Sequence, residues 1–370
     1  NIPIMEENKT RLLSLDILRG MTIIFMIIVN DPGSWDHVYA PLLHAKWNGL
    51  TPTDYIFPTF LFIAGVSIVL SFTKLRERGV AQKSLVKKII LRSLKIYAVG
   101  MFLWLWPTFN FDSIRWVGVL PRIAQVFLIC ALIYLFIQKK AQIIIGGVTL
   151  IVYWLVMEYL PVPGIGVPDL SVPEKNWANY IDKQYLPGYL WRQNWDPEGI
   201  LSTFPAVVTG MLGMIAGGVL VSKKALKDKL LQLFIMASVL LILGDISQYI
   251  MPVNKSIWSS SFVLIAGGIS CLLLASFLYW VDVKEYAHKF KFAQVFGVNA
   301  IFSYTLAGIL YPLFYGDKLF GVSLSSSFVD QAMALGVAPK LASLTYAVFY
   351  VFIISIPTYQ LFKRKIYIKL

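Results

Sequence analysis

Ten long apolar stretches, separated by short polar or charged segments, dominate the pattern of this chain. Each is about as long as the roughly 20 apolar residues that a helix needs to cross the hydrocarbon of a bilayer. The pattern therefore predicts an all-α, polytopic membrane protein, a bundle of about ten transmembrane helices without a second sizeable domain. The predicted spans are residues 13–31, 53–73, 87–106, 118–137, 142–160, 198–221, 230–249, 259–280, 292–314 and 339–361.

Composition supports a chain that is solvated by lipid. It is 57% hydrophobic and 14% charged, whereas a soluble domain carries about 25% charged residues. We interpret residues 11–370 as one transmembrane domain and residues 1–10 as an N-terminal tail, with Met5 as a candidate natural start. No cleavable signal peptide is expected, because Asp16 and Arg19 stand at the start of the first apolar stretch.

Lysine and arginine are concentrated on one side of the predicted bundle, in segments 74–88, 139–140, 223–229, 284–291 and 363–369. The positive-inside rule places this side, and with it both termini, in the cytoplasm. The net charge of +13 then reflects sidedness in the membrane rather than nucleic-acid binding. The predicted outer loops are residues 32–52, 107–117, 161–197, 250–258 and 315–338.

The first span carries three polar side chains, which are costly within a membrane and usually face a cavity or a partner. Arg19 and Asn30 share one helix face and are separated by roughly 16 Å along the axis. Asp16 lies nearby, so Asp16 and Arg19 could simply form an ion pair at the helix end. Asn30 could likewise make a hydrogen bond that packs two helices.

Other polar residues in the spans sort by depth. Arg92, Lys95 and Asn299 lie toward the cytoplasmic half, where the two cations suit a phosphate group or snorkel to lipid headgroups. Asp54, Arg122, Glu198 and Asp245 lie toward the outer half. The spacing of Gly210, Gly213, Gly217 and Gly218 permits a close helix approach, for which packing is the simplest explanation.

Among the three histidines, His44 is the candidate for chemistry. It stands in the first outer loop, ten residues before Asp54, and a carboxylate can orient an imidazole that serves as a base. His37 and His288 are expected to be solvated. Cys130 and Cys271 lie within apolar runs and are expected in the core. No metal-ligand spacing, phosphate-binding glycine loop or serine-nucleophile motif appears.

Several motifs together resemble one family. Segment 11–20 (RLLSLDILRG) resembles the opening motif of transmembrane acyltransferases, and segment 44–65 (HAKWNGLTPTDYIFPTFLFIAG) resembles the signature of heparan-alpha-glucosaminide N-acetyltransferases. Further matches, in the order of that family, are segments 196–201, 252–258 and 281–284. The chain is similar to a compact bacterial member that lacks the large N-terminal extension and the cysteines of the lysosomal relatives.

The resemblance implies transfer of acetyl from cytoplasmic acetyl-CoA to the amine of a glucosamine-type sugar at the outer face of a bacterial inner membrane. It implies His44 as the active-site histidine, with Asn30 beside it, and we expect Asp54 to orient the imidazole. Phosphates of the donor would meet Arg19, Arg92, Lys95 and Asn299. The acceptor would meet Asn48, Arg122, Glu198, Asp245, Lys255 and Trp258, and no metal is expected.

Alternatives remain at this stage. His44 could act as a general base in a ternary complex or carry the acetyl group itself, as in ping-pong kinetics. Ten spans with polar groups would also suit a sugar permease, and the same histidine would serve a polysaccharide O-acyltransferase. A homodimer is the default expectation for the assembly.

Overall fold

A computed structural model describes residues 12–317 and 321–368. The predicted tail of residues 1–10, Arg11 of the opening motif and Lys369 lie outside these residues. The described part contains thirteen α-helices and no β-strand, which confirms the all-α class. They are α1 (Leu13–Asn30), α2 (Ile56–Glu77), α3 (Gln82–Leu105), α4 (Val119–Phe136), α5 (Lys139–Tyr159), α6 (Trp177–Tyr185), α7 (Thr203–Leu220), α8 (Leu226–Ser247), α9 (Ser260–Phe277), α10 (Lys291–Val298), α11 (Ala300–Tyr315), α12 (Leu324–Ala334) and α13 (Pro339–Lys363).

Eight helices of the described residues are long and apolar enough to cross a membrane, or nine if α10 and α11 count as one span bent by 69°. Each of the ten predicted spans coincides with a helix or with this bent pair. The difference in number comes from α3, which is 24 residues long but carries Lys88, Arg92 and Lys95 in its sequence. The membrane class is therefore confirmed, while the count of ten and the cytoplasmic termini stay predictions.

Close helix crossings hold the bundle together. Gly20 of α1 lies against α10, where a Cβ atom would stand 1.7 Å from the Ala293 carbonyl oxygen. Gly213 of α7 lies against α2, where a Cβ atom would stand 2.0 Å from the Phe62 carbonyl oxygen. The glycine spacing in α7 therefore serves helix packing, as the sequence predicts. Cys130 and Cys271 are free and buried, also as predicted.

The predicted outer loops meet in two pairs at one end of the bundle. The loop after α1 pairs with the loop after α8, since the Gly49 amide donates to the Val253 carbonyl over 2.8 Å. The loop after α3 pairs with the long loop that contains α6, since the Tyr189 amide donates to the Ile114 carbonyl over 2.9 Å. Segments far apart in sequence thereby come together at one end of the bundle, on a surface that we call the vestibule.

Candidate active site

His44 and Asp54 form an ion-pair geometry in the vestibule. Asp54 belongs to a short 3-10 helix, Pro52–Tyr55, that leads into α2. The His44 Nδ1 atom lies 2.7 Å from Asp54 Oδ1, while Asp54 Oδ2 accepts the backbone amides of Ala45 and Thr51. The Asp54 side chain is 1% exposed and that of His44 is 45% exposed. The carboxylate is thus fixed, and it orients an imidazole that substrate can reach.

Lys255 joins this pair. Its Nζ atom lies 3.0 Å from His44 Nδ1, 3.3 Å from His44 Nε2 and 3.7 Å from Asp54 Oδ1. Burial lowers the pKa of Lys255, although the negative charges of Asp54 and Glu198 oppose the shift. A cation that is easier to deprotonate than usual therefore faces the imidazole.

Asn254 fixes the loop that carries Lys255. Its side chain donates to Asn48 Oδ1 over 2.9 Å and accepts the Ile257 amide over 3.2 Å. Asn254 is buried, whereas Asn48 is exposed and also donates to the Leu170 carbonyl. Asn48 therefore lies beside the cluster, with its amide already engaged on both sides.

A second charged cluster lies on the neighbouring pair of loops. Arg115 donates to Asp196 Oδ2 over 2.7 Å, to Asp196 Oδ1 over 2.6 Å and to Glu198 Oε2 over 2.6 Å. Burial alone would raise the pKa of Asp196, but its hydrogen bond to Arg115 and the positive charge there hold that pKa below the usual range. Glu198, which was predicted from the sequence, thus lies near the site. Arg115 and Asp196, which the sequence analysis did not name as site residues, lie there with it.

Arg122 and Trp258 lie behind this surface rather than on it. Both are fully buried, and the Arg122 guanidinium donates to the carbonyls of Pro197 and Gly199 and to Ser202 Oγ. The Trp258 indole packs 5.2 Å from that guanidinium. These predicted substrate residues therefore support the 197–203 loop, and the geometry does not favour direct contact with an acceptor.

Asp245 is not brought into the vestibule cluster. It is exposed on α8 and accepts a hydrogen bond from Gln248 over 2.6 Å. Among the described residues, Asp245 makes no hydrogen bond or ion pair with His44, Lys255 or Glu198. The sequence predicts the end of the span at which Asp245 lies. It does not show toward which side of α8 the Asp245 side chain projects.

Asn30 ends α1 with its side chain exposed. In the described part of the chain, the side-chain amide of Asn30 makes no hydrogen bond. The predicted packing role therefore has no contact to support it, and the amide is free to donate to a substrate oxygen.

At the end of the bundle that is predicted to be cytoplasmic, Arg19 and Arg92 come close together. Arg19 pairs with Asp16 over 2.9 Å, as one of the two alternatives predicts, and also donates to Ser67 Oγ over 2.8 Å. Arg92 is half-buried over the Phe127 ring, and its charged neighbour in the described residues is Arg19. The Arg92 Nε atom is buried and has no hydrogen-bond partner among the described residues. Arg92 therefore lies beside a second cation that is already ion-paired with Asp16, and its unpartnered Nε atom favours an anionic ligand.

The other two predicted donor contacts lie elsewhere. Lys95 is exposed on α3 although it is only one turn from Arg92. Asn299 is buried at the break between α10 and α11, where it donates to the Ile366 carbonyl and accepts the Ile368 amide. Its amide therefore anchors the C-terminal segment and is not available to bind the acetyl donor.

A small apolar cavity lies between the two ends of α1. Arg19, Ile23, Met26 and Asn30 follow at spacings of four, three and four residues, so they share one face of α1. A small cavity of about 10 Å³ opens on that face, between α1, α2, α4 and α11. It is lined by Ile23, Met26, Phe60, Val119, Leu120, Ile123, Ala300, Ile301 and Tyr304. The α1 face between the cationic end and the vestibule is thus apolar and closely packed, with a cavity no larger than about one water molecule.

Asp182 of α6 is a buried carboxyl that the sequence analysis missed. Its two oxygens accept the backbone amides of Ile200 and Asp196, so it ties α6 to the loop carrying Glu198. Burial raises the pKa of Asp182 to about 7, since the two amides and the charge of Arg122 only partly offset it and Asp196 adds repulsion.

We expect this carboxyl to make stability depend on pH. Because the folded protein holds the Asp182 proton more tightly than an unfolded chain, its contribution is fully present below pH 3.8 and is lost as pH rises through about 7. Asp182→Asn should flatten the fall of the thermal unfolding midpoint between pH 5 and 8, measured by tryptophan fluorescence. An identical slope in variant and wild type would contradict the assignment.

Comparison with known proteins gives the family. The family model described as heparan-alpha-glucosaminide N-acetyltransferase, catalytic, matches residues 11–253. Heparan-alpha-glucosaminide N-acetyltransferase of Mus musculus is 29% identical and covers 75% of this chain, and that of Homo sapiens is 30% identical and covers 74%. The chain spans about half the length of these curated relatives, 50% and 49% respectively.

The matched region contains the vestibule histidine with its buried carboxylate, Arg19 and Arg92, and the Arg115–Glu198 cluster. The chain belongs to the heparan-alpha-glucosaminide N-acetyltransferase catalytic family.

Proposed function

We propose that the chain is a transmembrane acetyltransferase that moves acetyl from acetyl-CoA, bound from the cytoplasm, to the amine of a glucosamine-type sugar at the outer face. The observation that carries the proposal is the pairing of an accessible His44 with a buried Asp54 at 2.7 Å. Family membership supports the same chemistry. The proposed location is the inner membrane of a bacterium, and a homodimer is the proposed assembly.

Arg92 and Arg19 support the donor side of the proposal. Their guanidinium groups suit the phosphates of CoA, because Arg–phosphate hydrogen bonds are charge-assisted. The α1 face from Arg19 to Asn30 extends roughly 16 Å, comparable with the extended arm of CoA. A donor held at the arginines could then present its thioester near Asn30, after the closely packed apolar residues between them have moved apart.

His44 supports the acceptor side. Acetylation of an ammonium forms the amide C–N bond, breaks the thioester C–S bond, and releases the CoA thiol and one net proton. His44 could take that proton, or it could first accept the acetyl group and pass it to the amine. Asn30 could donate to the oxyanion of the tetrahedral intermediate, while Glu198 and Lys255 lie where sugar groups would approach.

The test uses purified protein in nanodiscs with acetyl-labelled acetyl-CoA. Labelled amide with glucosamine, and none with N-acetylglucosamine, is the expected result. Label on N-acetylated sugars instead would identify an O-acyltransferase. Sugar uptake into vesicles without any acetyl transfer would favour the permease, for which the broken helix at Asn299 is the structural argument.

Arg92→Met should weaken acetyl-CoA binding by about tenfold or more, because a charge-assisted hydrogen bond contributes roughly 1.5–3 kcal/mol. Isothermal titration measures the dissociation constant. Lys95→Met is the matched control, since it removes an equal charge from the exposed face of the same helix. Equal affinities in the Arg92 variant and wild type would remove Arg92 from the donor site.

A further inference from the structure

A larger apolar groove opens on another side of α1. It has a volume of about 330 Å³ and lies between α1, the start of α2 and the end of α9. All three helices are candidate membrane spans. Representative lining residues are Leu18, Phe25, Val29, Ile56, Leu273 and Phe277. The groove therefore lies within the apolar depth of the bilayer.

The size and depth of the groove define what can fill it. From Leu18 to Val29 it follows α1 for roughly 16 Å, about half of the roughly 30 Å hydrocarbon thickness. Its lining is almost entirely apolar, and the bilayer core offers no water to occupy it. If a methylene group takes about the volume of a liquid water, roughly 30 Å³, the groove accommodates a stretch of roughly ten. A hydrocarbon chain is the matching occupant.

The roof of the groove consists of the same segments that carry the candidate catalytic residues. Pro41, Leu42, Pro52 and Thr53 line its outer end, and Thr53 Oγ1 donates to the Pro41 carbonyl over 3.0 Å. His44 follows Leu42 by two residues, and Asp54 follows Thr53 directly. A chain lying in the groove would therefore leave it beside the His44–Asp54 pair.

We propose that the acceptor is a membrane-anchored amino sugar, a glycolipid whose hydrocarbon chain lies in this groove while its sugar amine faces His44. The inference rests on the proposed acetyl transfer and names its substrate class. A water-soluble sugar would use the vestibule alone and would leave the groove to bulk lipid.

Transfer to methyl glucosaminide and to dodecyl glucosaminide, measured in nanodiscs, tests the proposal. The dodecyl substrate should have a KM lower by at least about tenfold. Part of the difference between the two KM values reflects the concentration of the dodecyl substrate in the bilayer. Groove variants therefore test whether the groove itself contributes. Met21→Trp and Leu273→Trp fill the groove and should raise the dodecyl KM by about tenfold, leaving the methyl substrate nearly unchanged. Ile151→Trp, on the exposed face of α5, is the control that should change neither.

Each other outcome overturns the inference. Equal KM values in wild type, or a dodecyl preference that survives in both groove variants, would show that the groove does not hold the acceptor. A changed oligomeric mass in the groove variants, with both substrates slowed alike, would make the groove a contact between copies of the chain. Failure to acetylate either glucosaminide would overturn the proposed function itself. Retained acetyl-CoA binding verifies that each variant is folded.

Discussion

Replacing His44 by alanine is expected to lower acetyl transfer by roughly 10²–10⁴-fold, the usual contribution of a positioned general base. The imidazole is the group held against a buried carboxylate, and it is exposed enough for substrate to reach it. Acetyl-CoA binding should persist, because Arg19 and Arg92 lie at the opposite end of the α1 face. Initial rates with labelled acetyl-CoA, together with titration of donor binding, separate the two effects.

His37→Ala is the matched control, because His37 lies in the same predicted outer loop. Among the described residues, its side chain makes no hydrogen bond or ion pair with Asp54 or Lys255. Wild-type turnover in the His44 variant would remove His44 from the mechanism. Incubation of wild type with donor alone distinguishes the two roles of the imidazole. Label that stays on wild-type protein but not on the His44 variant would indicate an acetyl carrier, whereas unlabelled protein would favour direct transfer.

The helical architecture was largely predictable from the sequence, because a membrane span is a local property. About 20 apolar residues in succession suffice to specify it, and every predicted span coincides with a helix or with the bent pair. The break at Asn299 was not predictable in this way. The Asn299 side chain there holds the C-terminal segment through Ile366 and Ile368, and no local apolar pattern reveals such a contact.

The candidate site was predicted from motifs: one motif holds both His44 and Asp54, and two separate motifs hold Glu198 and Lys255. His44 and Asp54 are ten residues apart within one motif, and the structure brings them together. Arg115 and Asp182 were missed, because their partners lie 81 and 14 residues away, on loops whose pairing no periodicity reveals. Arg115 had one available signal, as the sole cation between residues 107 and 117.

Depth in the membrane is also easier to predict than direction around a helix. Lys95 and Asp245 lie at the expected ends of their helices but are exposed away from the two clusters. Arg122 and Trp258 lie at the expected depth too, but their polar groups are used within the protein. A sequence gives the height of a side chain, whereas only packing against neighbouring helices decides which space it faces.

Asp54→Asn should lower the turnover number about as strongly as loss of the histidine, by roughly 10²-fold or more, with little change in donor affinity. The Asp54 carboxylate accepts from Ala45, Thr51 and His44 at once. An asparagine side chain has one acceptor oxygen and an amide that donates. It must therefore either leave backbone amides unpaired or turn the imidazole into the wrong tautomer.

A structural control is needed, because an unpaired buried amide alone costs about 1–3 kcal/mol of stability. Thr51→Val disturbs the same turn by removing the hydroxyl that donates to Leu43 and Asp54, yet it leaves the His44–Asp54 contact in place. If orientation of the imidazole is the role of Asp54, the two variants should lose comparable thermal stability while only Asp54→Asn loses turnover. If Thr51→Val were equally inactive, the role of the carboxylate would be to hold the shape of the loop. Lys255, rather than Asp54, would then be the residue that orients the imidazole.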